Sequence, residues 1–580
     1  MWEGEYRENV VVNKSLSLIG NGSDSTHLEG ESRGSVVRIT SDWVNMVGFY
    51  ITDTNASNSN TGIFIESNNS VVSLNNCSNL SSGIYLKSAM NCTIESNVCS
   101  NNEWNGIKIT DSVSCTISNN SCSLNRYCGI FMEDTSECIV DSNICLMNDQ
   151  NAFYIRNSNL CTIKNNTVSS RYWDGIYLQN SYSCTLESNR LIDSSISISG
   201  DLEFWISHTI TPTNSVNGKS VFYFSSISGI TVPSNAGQVI LADCTLITVE
   251  DQTCNNGTVG ILIGYSSDIT LENNTCNSNK EIGIFLYSST RCLVKNNVCK
   301  ENRWSGINID LSSHCSIENN TCSSNDEFGI RIRWSMSQTL VGNTCSENDE
   351  GIYLDADNST LISNICERND DGMFIGSSGG SSISNICSSN TDTGMKVVSS
   401  PHFQIVDTVC SENAIGISFY DMSNSSILNS TISSNDEYGI ALWVTYDSRI
   451  EYCTIVDNLI GIRVKDRSRN NSARSNSIFN NFAYGINASE NDNLSFEATY
   501  NWWGNSNGPF HPTGNPEGDG NSVSNGVNFS PWLDEDGGLV YLPEDDSDTI
   551  VPYLLLSIFV LLSASLIFVV IDPKNIWIEK

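Results

Sequence analysis

Apolar residues along most of this chain recur two apart in short runs, each closed by Asn, Ser, Asp or Gly, and the runs themselves recur every 21 to 24 residues. The unit from Gly106 to Cys128 shows the pattern: Ile107-Lys108-Ile109, then Cys115-Thr116-Ile117, then Asn120-Ser121-Cys122. Alternation with period two is strand spacing, and the intervening residue types make turns. Each unit carries the dipeptide Gly-Ile, as at Gly62-Ile63, Gly83-Ile84, Gly106-Ile107, Gly283-Ile284, Gly306-Ile307 and Gly439-Ile440, with variants at Ala152-Phe153, Gly372-Met373 and Gly394-Met395. Self-similarity at this period marks a solenoid in which a repeat touches only its neighbours. The Leu-x-x-Leu-x-Leu signature of a leucine-rich repeat is missing. Three strands per turn without reversal predict an all-β chain: a right-handed parallel β-helix of about twenty coils, roughly 100 Å long at ~4.8 Å per coil.

The same register stacks like on like. Cys92, Cys115, Cys138, Cys161 and Cys184 share one position, and Cys99, Cys122 and Cys145 share another that Cys276 to Cys410 continue. Twenty-two Cys in an exported chain would ordinarily suggest disulfides. Here they alternate with polar positions, so they are expected inside, as small hydrophobes with side chains parallel rather than facing. No Cys-x-x-Cys pair exists and the five His are scattered, which speaks against zinc. Asn97, Asn120, Asn143, Asn166 and Asn189 fall at one turn and are expected to form an amide ladder.

The pattern divides the chain into coils at 1–190, an irregular excursion at 191–260, coils at 261–500, a terminal coil at 501–533, an acidic linker at 534–549, a transmembrane helix at 550–571 and a tail at 572–580. The run 550–571 is uncharged and long enough to span a bilayer. Lys574 and Lys580 in the tail favour a cytoplasmic C-terminus with the β-helix outside. No leader precedes the first strand-like residues, so the chain is expected to continue upstream. Sixty-five acids against 29 bases give a formal charge of −36, which argues against nucleic-acid partners. Asn-x-Ser/Thr sequons recur, beginning at Asn13, Asn21 and Asn55.

Gly4-Glu5-Tyr6-Arg7-Glu8-Asn9-Val10-Val11-Val12-Asn13-Lys14, followed by Leu18-Ile19-Gly20-Asn21-Gly22-Ser23, resembles the opening of NosD-type parallel β-helix proteins. Asn217-Gly218-Lys219-Ser220-Val221-Phe222-Tyr223 is similar to that family's mid-helix excursion, and Asn501-Trp502-Trp503-Gly504 with Ser530-Pro531-Trp532-Leu533 to its last coil. The resemblance covers about residues 2–533. It implies a surface or periplasmic β-helix related to carbohydrate-binding and sugar-hydrolase domains. It also implies copper handling, which the sequence does not favour: the nine Met are dispersed and the Cys face inward.

The outward residues of the Gly-Ile strands supply the candidate chemistry. Phe64, Tyr85, Phe131, Tyr154, Tyr177, Phe285, Tyr353 and Phe374 form an aromatic row expected to contact glycans, with Tyr85, Phe131, Tyr154, Tyr177, Phe285, Tyr353 and Phe374 as ligand-binding candidates. Aromatics also precede the Gly, at Trp104, Tyr127, Trp173, Trp304 and Phe328. Asp310, Arg331, Arg333 and Asp355 are the catalytic candidates. Two coils separate Asp310 from Asp355, about 10 Å, near the upper end of the roughly 5–9.5 Å that glycoside hydrolysis uses. Arg331 or Arg333 would neutralise a uronate in a β-elimination. Motifs such as Asp-Pro-His-Glu are absent. Turn acids at Asp326, Asp349 and Asp370 are candidates for calcium. The sequence therefore favours a membrane-anchored structural or glycan-interacting β-helix without catalysis or cofactor. A polysaccharide lyase, epimerase or hydrolase, and a copper-handling protein, stand as alternatives.

Overall fold

The computed structural model describes residues 1–31, 34–53, 61–491 and 495–540. It is a right-handed parallel β-solenoid of about 21 turns. Among the described residues no helix is long and apolar enough to cross a membrane. The apolar run 550–571 and the tail 572–580 lie outside the described residues.

Coils stack in register. Ile107–Thr110 pairs with Ile130–Glu133 so that Ile107 meets Ile130 and Lys108 meets Phe131. Thr116–Ser118 meets Ile139–Asp141 in the same way. Between strands the chain turns through left-handed conformations. In the coil starting at Gly106, Asp111, Ser114, Asn119 and Leu124 have φ of 50°, 53°, 58° and 59°. Asn, Asp and Ser tolerate this region because their short side chains bond locally, which accounts for their abundance here.

Two asparagine ladders run along the corners. In the expected one, Asn97 donates both its backbone N–H and its Nδ2 to Asn120 Oδ1, at 2.9 and 3.0 Å, and Asn120 does the same to Asn143. A second ladder, not anticipated, includes Asn302, Asn325, Asn348, Asn369 and Asn390. It bears on the regular spacing of the glycines. A Cβ on Gly351 would lie 2.5 Å from the Gly372 carbonyl oxygen, 2.8 Å from Asn369 Nδ2 and 3.2 Å from Cys366 Cβ. The glycine is required by close approach of the next coil and of the amide ladder.

All 22 cysteines are buried free thiols. Those of the third strand stack in register, Cys322 on Cys345 and Cys345 on Cys366. Those of the first set bond to backbone carbonyls, as Cys138 Sγ does to Ser136 O at 3.4 Å.

The solenoid changes face once. The Gly-Ile strands of the N-terminal part form a nine-stranded sheet that ends at Ile196–Ser199. Those of the C-terminal part do not continue it. They belong to a 17-stranded sheet whose first members are the third strands of earlier coils, Ile144–Asn148, Thr167–Ser170 and Arg190–Leu191. The excursion makes the exchange: Ser215–Val216 turns back antiparallel on Lys219–Ser225, which leads through Ala236–Ala242 to Val259–Gly264. The aromatic row read as one stripe from Tyr177 to Phe285 is therefore two rows on two sheets. The free edge of the first sheet is covered by side chains. Gln238 Oε1 accepts from Ile196 N at 2.9 Å, and its Nε2 donates to Ile196 O at 2.7 Å. Ser195 Oγ donates to Val259 O at 3.1 Å. A short helix, Leu202–Ile206, seats Trp205 against Gly264, parallel to Tyr287 at 6.1 Å.

Removing one rung of the first ladder leaves a buried backbone N–H without a partner. Asn320→Ala should lower the unfolding free energy by about 2–4 kcal/mol, whereas Ser316→Ala on the outside of the same coil should change it by under about 1 kcal/mol. Urea titration followed by circular dichroism measures both. Thiol titration should find almost none of the 22 cysteines reactive in the native protein and all of them in guanidinium.

Candidate functional site

The regular faces hold their own side chains. On the first sheet Phe64 and Tyr85 lie 5.1 Å apart, Lys108 Nζ sits 5.0 Å from the Tyr85 ring and 5.6 Å from Phe131, and Phe131 and Tyr154 are 5.3 Å apart. Tyr154 and Tyr177 stack at 5.2 Å and 24°. On the second sheet Tyr353 stacks on Phe374 at 4.9 Å and 3°. Rings spaced like strands pack on one another, stacked or edge to face, and leave less of the free ring face that a sugar needs. Such a face exists where a row stops. Tyr177 is in register with Ser197, and its hydroxyl lies 2.8 Å from Ser199 Oγ.

The row stops where the two Gly-Ile sheets meet, and a cleft of about 260 Å³ opens there. Its apolar walls are Trp173, Tyr177, Leu262, Phe285 and Trp304, with Trp173 edge-on to Trp304 at 5.9 Å. Its polar lining joins both sheets. Asp174, from the turn before Gly175, is buried and accepts from Ser197 Oγ at 2.6 Å. Glu281, half-buried, comes from the turn before Gly283, with its backbone N–H on Thr258 O at 3.0 Å. Burial pushes the Asp174 carboxyl up to about 7, although hydrogen bonds from Ser197 and Thr258 pull the other way. Burial, and next the Asp174 charge, push Glu281 well above the usual carboxylate range, with Arg303 opposing.

At the other side Asp310, 6% exposed, is held by Arg333 through Nε at 3.3 Å and Nη2 at 3.0 Å. Arg333 also lies over Trp334 at 4.2 Å. Arg331 lies over the Phe328 ring at 5.0 Å, and its Nε has no hydrogen-bond partner. Burial and the Arg333 charge lower its pKa. Asn308, 3% exposed, also has an unpartnered atom, Oδ1.

Of the catalytic candidates the structure brings Asp310, Arg331 and Arg333 to one cleft. Asp355 is not part of its lining. A bulge at Arg333-Trp334 breaks the register with the Asp355 strand, and Arg333 pairs with Asp310 instead. Of the ligand-binding candidates Tyr177 and Phe285 line the cleft, while Tyr85, Phe131 and Tyr154 lie along the first sheet and Tyr353 and Phe374 along the second. Asp326, Asp349 and Asp370 are exposed at turns, and among the described residues no three of His, Cys, Asp and Glu form a group that could hold a metal ion. Their repulsion is nonetheless felt nearby: burial, then Asp349 and Asp371, push Glu350 up to about 7. Asp174 and Glu281 escaped the sequence reading because they occupy ordinary turn positions of the repeat. Only the change of face desolvates them.

The profile described as periplasmic copper-binding protein (NosD) matches residues 17–221 and 214–364, and that of the right-handed β-helix region matches 350–500. No curated protein matches the chain. Among solved structures, similar chains include the mannuronan C-5 epimerase AlgE4 A-module of Azotobacter vinelandii, 14% identical over 58% of this chain and 85% of that one, with a TM-score of 0.30. Others are DFA-IIIase from Arthrobacter chlorophenolicus A6 in complex with GF2, 12% identical over 56% and 83% with a TM-score of 0.33, and the catalytic domain of a GH87 α-1,3-glucanase with nigerose, 11% identical over 63% and 62% with a TM-score of 0.31. These likenesses concern the fold alone.

The cleft carboxyls set a pH dependence. An acid whose native pKa is raised binds more protons folded than unfolded between its two pKa values, so stability falls as pH rises from about 4 to about 7. Asp174→Asn should remove a share of that slope on the order of 3 kcal/mol and raise the melting temperature at pH 8 relative to the native chain. Melting curves from pH 4.5 to 8 check this; an unchanged slope would refute it.

Proposed function

The chain belongs to the NosD family of right-handed parallel β-helix proteins, and on that premise we propose that it is an extracytoplasmic glycan-binding module that receives a sugar residue in the cleft between its two Gly-Ile sheets. The observation that carries this reading is Asn308 Oδ1, an unpartnered acceptor on a side chain 3% exposed, in the lining of an aromatic-walled cleft. Buried polar atoms are nearly always paired, so one left over beside an opening calls for a ligand or ordered water. Sugars combine apolar ring faces with hydroxyl edges. Tyr177, Phe285 and Trp304 offer ring surface, and Asn308 and Arg331 offer an acceptor and a donor. We further assign the run 550–571 as the tether that holds the β-helix at the outer membrane surface, in keeping with the periplasmic character of the family.

Copper, which the family description carries, does not fit the residues present. Copper(I) needs clustered soft donors. The thiols are buried in the core, and no group of three ligating side chains occurs among the described residues. A second reading, hydrolysis in the same cleft, is favoured by one observation: Asp174 and Glu281 are two carboxyls of one pocket, and burial raises the proton affinity of both.

Isothermal titration of the full-length chain in detergent against a panel of neutral and acidic oligosaccharides tests the binding. Trp304→Ala should weaken a bound glycan at least tenfold, and Trp104→Ala, at the exposed turn before Gly106, should leave it unchanged. Equal effects of the two would remove the cleft from consideration. Release of reducing ends, lost in Glu281→Gln, would select the hydrolase.

A further inference from the structure

The charges around the cleft are not balanced, and the imbalance specifies a ligand. Asp310 is committed to Arg333 by two hydrogen bonds. Arg331, one coil from Asn308 in the register of the strands, keeps an Nε without a partner while its guanidinium rests on Phe328. The remaining acids are Asp174, capped by Ser197, and Glu281, which shares the pocket with it. Two more cations flank the cleft. Arg303 lies over Tyr172 at 5.0 Å and opposes the rise of Glu281, and Lys280 Nζ donates to the Ser170 carbonyl.

We infer that the cleft selects an acidic sugar, with the ligand carboxylate on Arg331 and a ring hydroxyl on Asn308 Oδ1, and that capture requires Asp174 and Glu281 to carry their protons. The inference rests on the glycan reading above and adds charge and regulation to it. A protonated carboxyl is a hydrogen-bond donor, so in its acid form the pocket presents one guanidinium and two O–H groups, a set of donors suited to an anion. Ionised, the same two groups place negative charge beside the ligand and reverse the preference. On a chain of formal charge −36 the outer surface repels polyanions, so an acidic glycan must be held by a local cation. Arg331 supplies it, because its fork is not consumed by a protein carboxylate. Tyr177, whose hydroxyl burial holds in its neutral form, stays uncharged throughout.

The test compares oligouronates of galacto, manno, gulo and gluco configuration with their methyl esters, which keep the ring and remove the charge. Titrations use the full-length chain in detergent at pH 5.5 and pH 8. At pH 5.5 at least one acid should bind at least tenfold more tightly than its ester, and its affinity should fall at least tenfold by pH 8. Arg331→Gln should abolish the preference for the acid, Arg331→Lys should restore part of it, and Asp174→Asn should flatten the pH profile. Circular dichroism confirms that each variant is folded. If esters or neutral glycans bind as well as the acids, and Trp304→Ala abolishes that binding, the charge inference fails and the glycan reading stands. If no saccharide binds at either pH, both fail. A pH profile unchanged in Asp174→Asn overturns the proton requirement alone.

Discussion

Everything regular in this protein depends on how closely one coil approaches the next at the corner that carries the glycine. In the coils from Gly260 to Gly461 the backbone carbonyl of the following glycine and an asparagine amide together fill the space a Cβ would need, whereas at Gly83 and Gly106 carbonyls and a cysteine Cβ do so. The amide cannot move away, because its Oδ1 accepts two hydrogen bonds from the preceding rung while its Nδ2 donates to the next. Glycine and asparagine therefore specify each other, and with them the register. A slip by one residue would turn the inward side chains outward and leave the amides buried without partners, so the stack has one low-energy alignment.

Once the register is fixed, identical positions fall above one another, with consequences that differ by residue type. Cysteines superpose in the core, where parallel side chains pack as small hydrophobes. Aromatics superpose outside and cover each other. Charged residues are arranged to alternate, as in Arg156 with Glu133, Lys164 with Asp141, Arg291 with Asp268 and Lys295 with Glu272, each pair one coil apart. These exposed pairs contribute little individually, but they keep an acidic chain from placing like charges at strand spacing. Where alternation lapses, at the turn acids around Glu350, burial and then the neighbouring acids raise proton affinity instead.

The fold was legible because its causes repeat. Gly-Ile marks the corner, Cys and Ile mark the inside, and one asparagine ladder was visible as Asn97, Asn120 and Asn143. The second ladder was not read because an asparagine a few residues before glycine looks like an ordinary turn. The change of face was beyond reach for a different reason. Side-chain alternation says which residues point inward but not which of three sheets a strand joins, and the exchange is made by a hairpin and by Gln238, which occur once. The site shared that fate. Asp310, Arg331 and Arg333 stood out as charged residues on adjacent coils, but their partners Asp174 and Trp173 lie more than a hundred residues earlier and meet them only across the junction. Asp355 failed as a partner because a one-off bulge at Arg333-Trp334 redirects the arginine.

A solenoid that satisfies its own hydrogen bonds and stacks its own rings has little capacity left for a ligand along its regular length. Along the ladders each amide is engaged by the coil above and the coil below, and rings such as Tyr154 and Tyr353 are engaged by their neighbours in the row. Binding capacity must arise where the repeat is interrupted, because there the last member of one row lacks a successor and the first member of another lacks a predecessor. The junction meets both conditions at once. Tyr177 ends one aromatic row, the second sheet begins beside it, and Asn308 Oδ1 and Arg331 Nε remain unpaired in the space between. Burial in the same cleft raises the proton affinity of Asp174 and Glu281. Aromatic walls, unpaired polar atoms and raised carboxyl pKa values are thus three results of one cause, the displacement of the sheet from one face of the solenoid to the next.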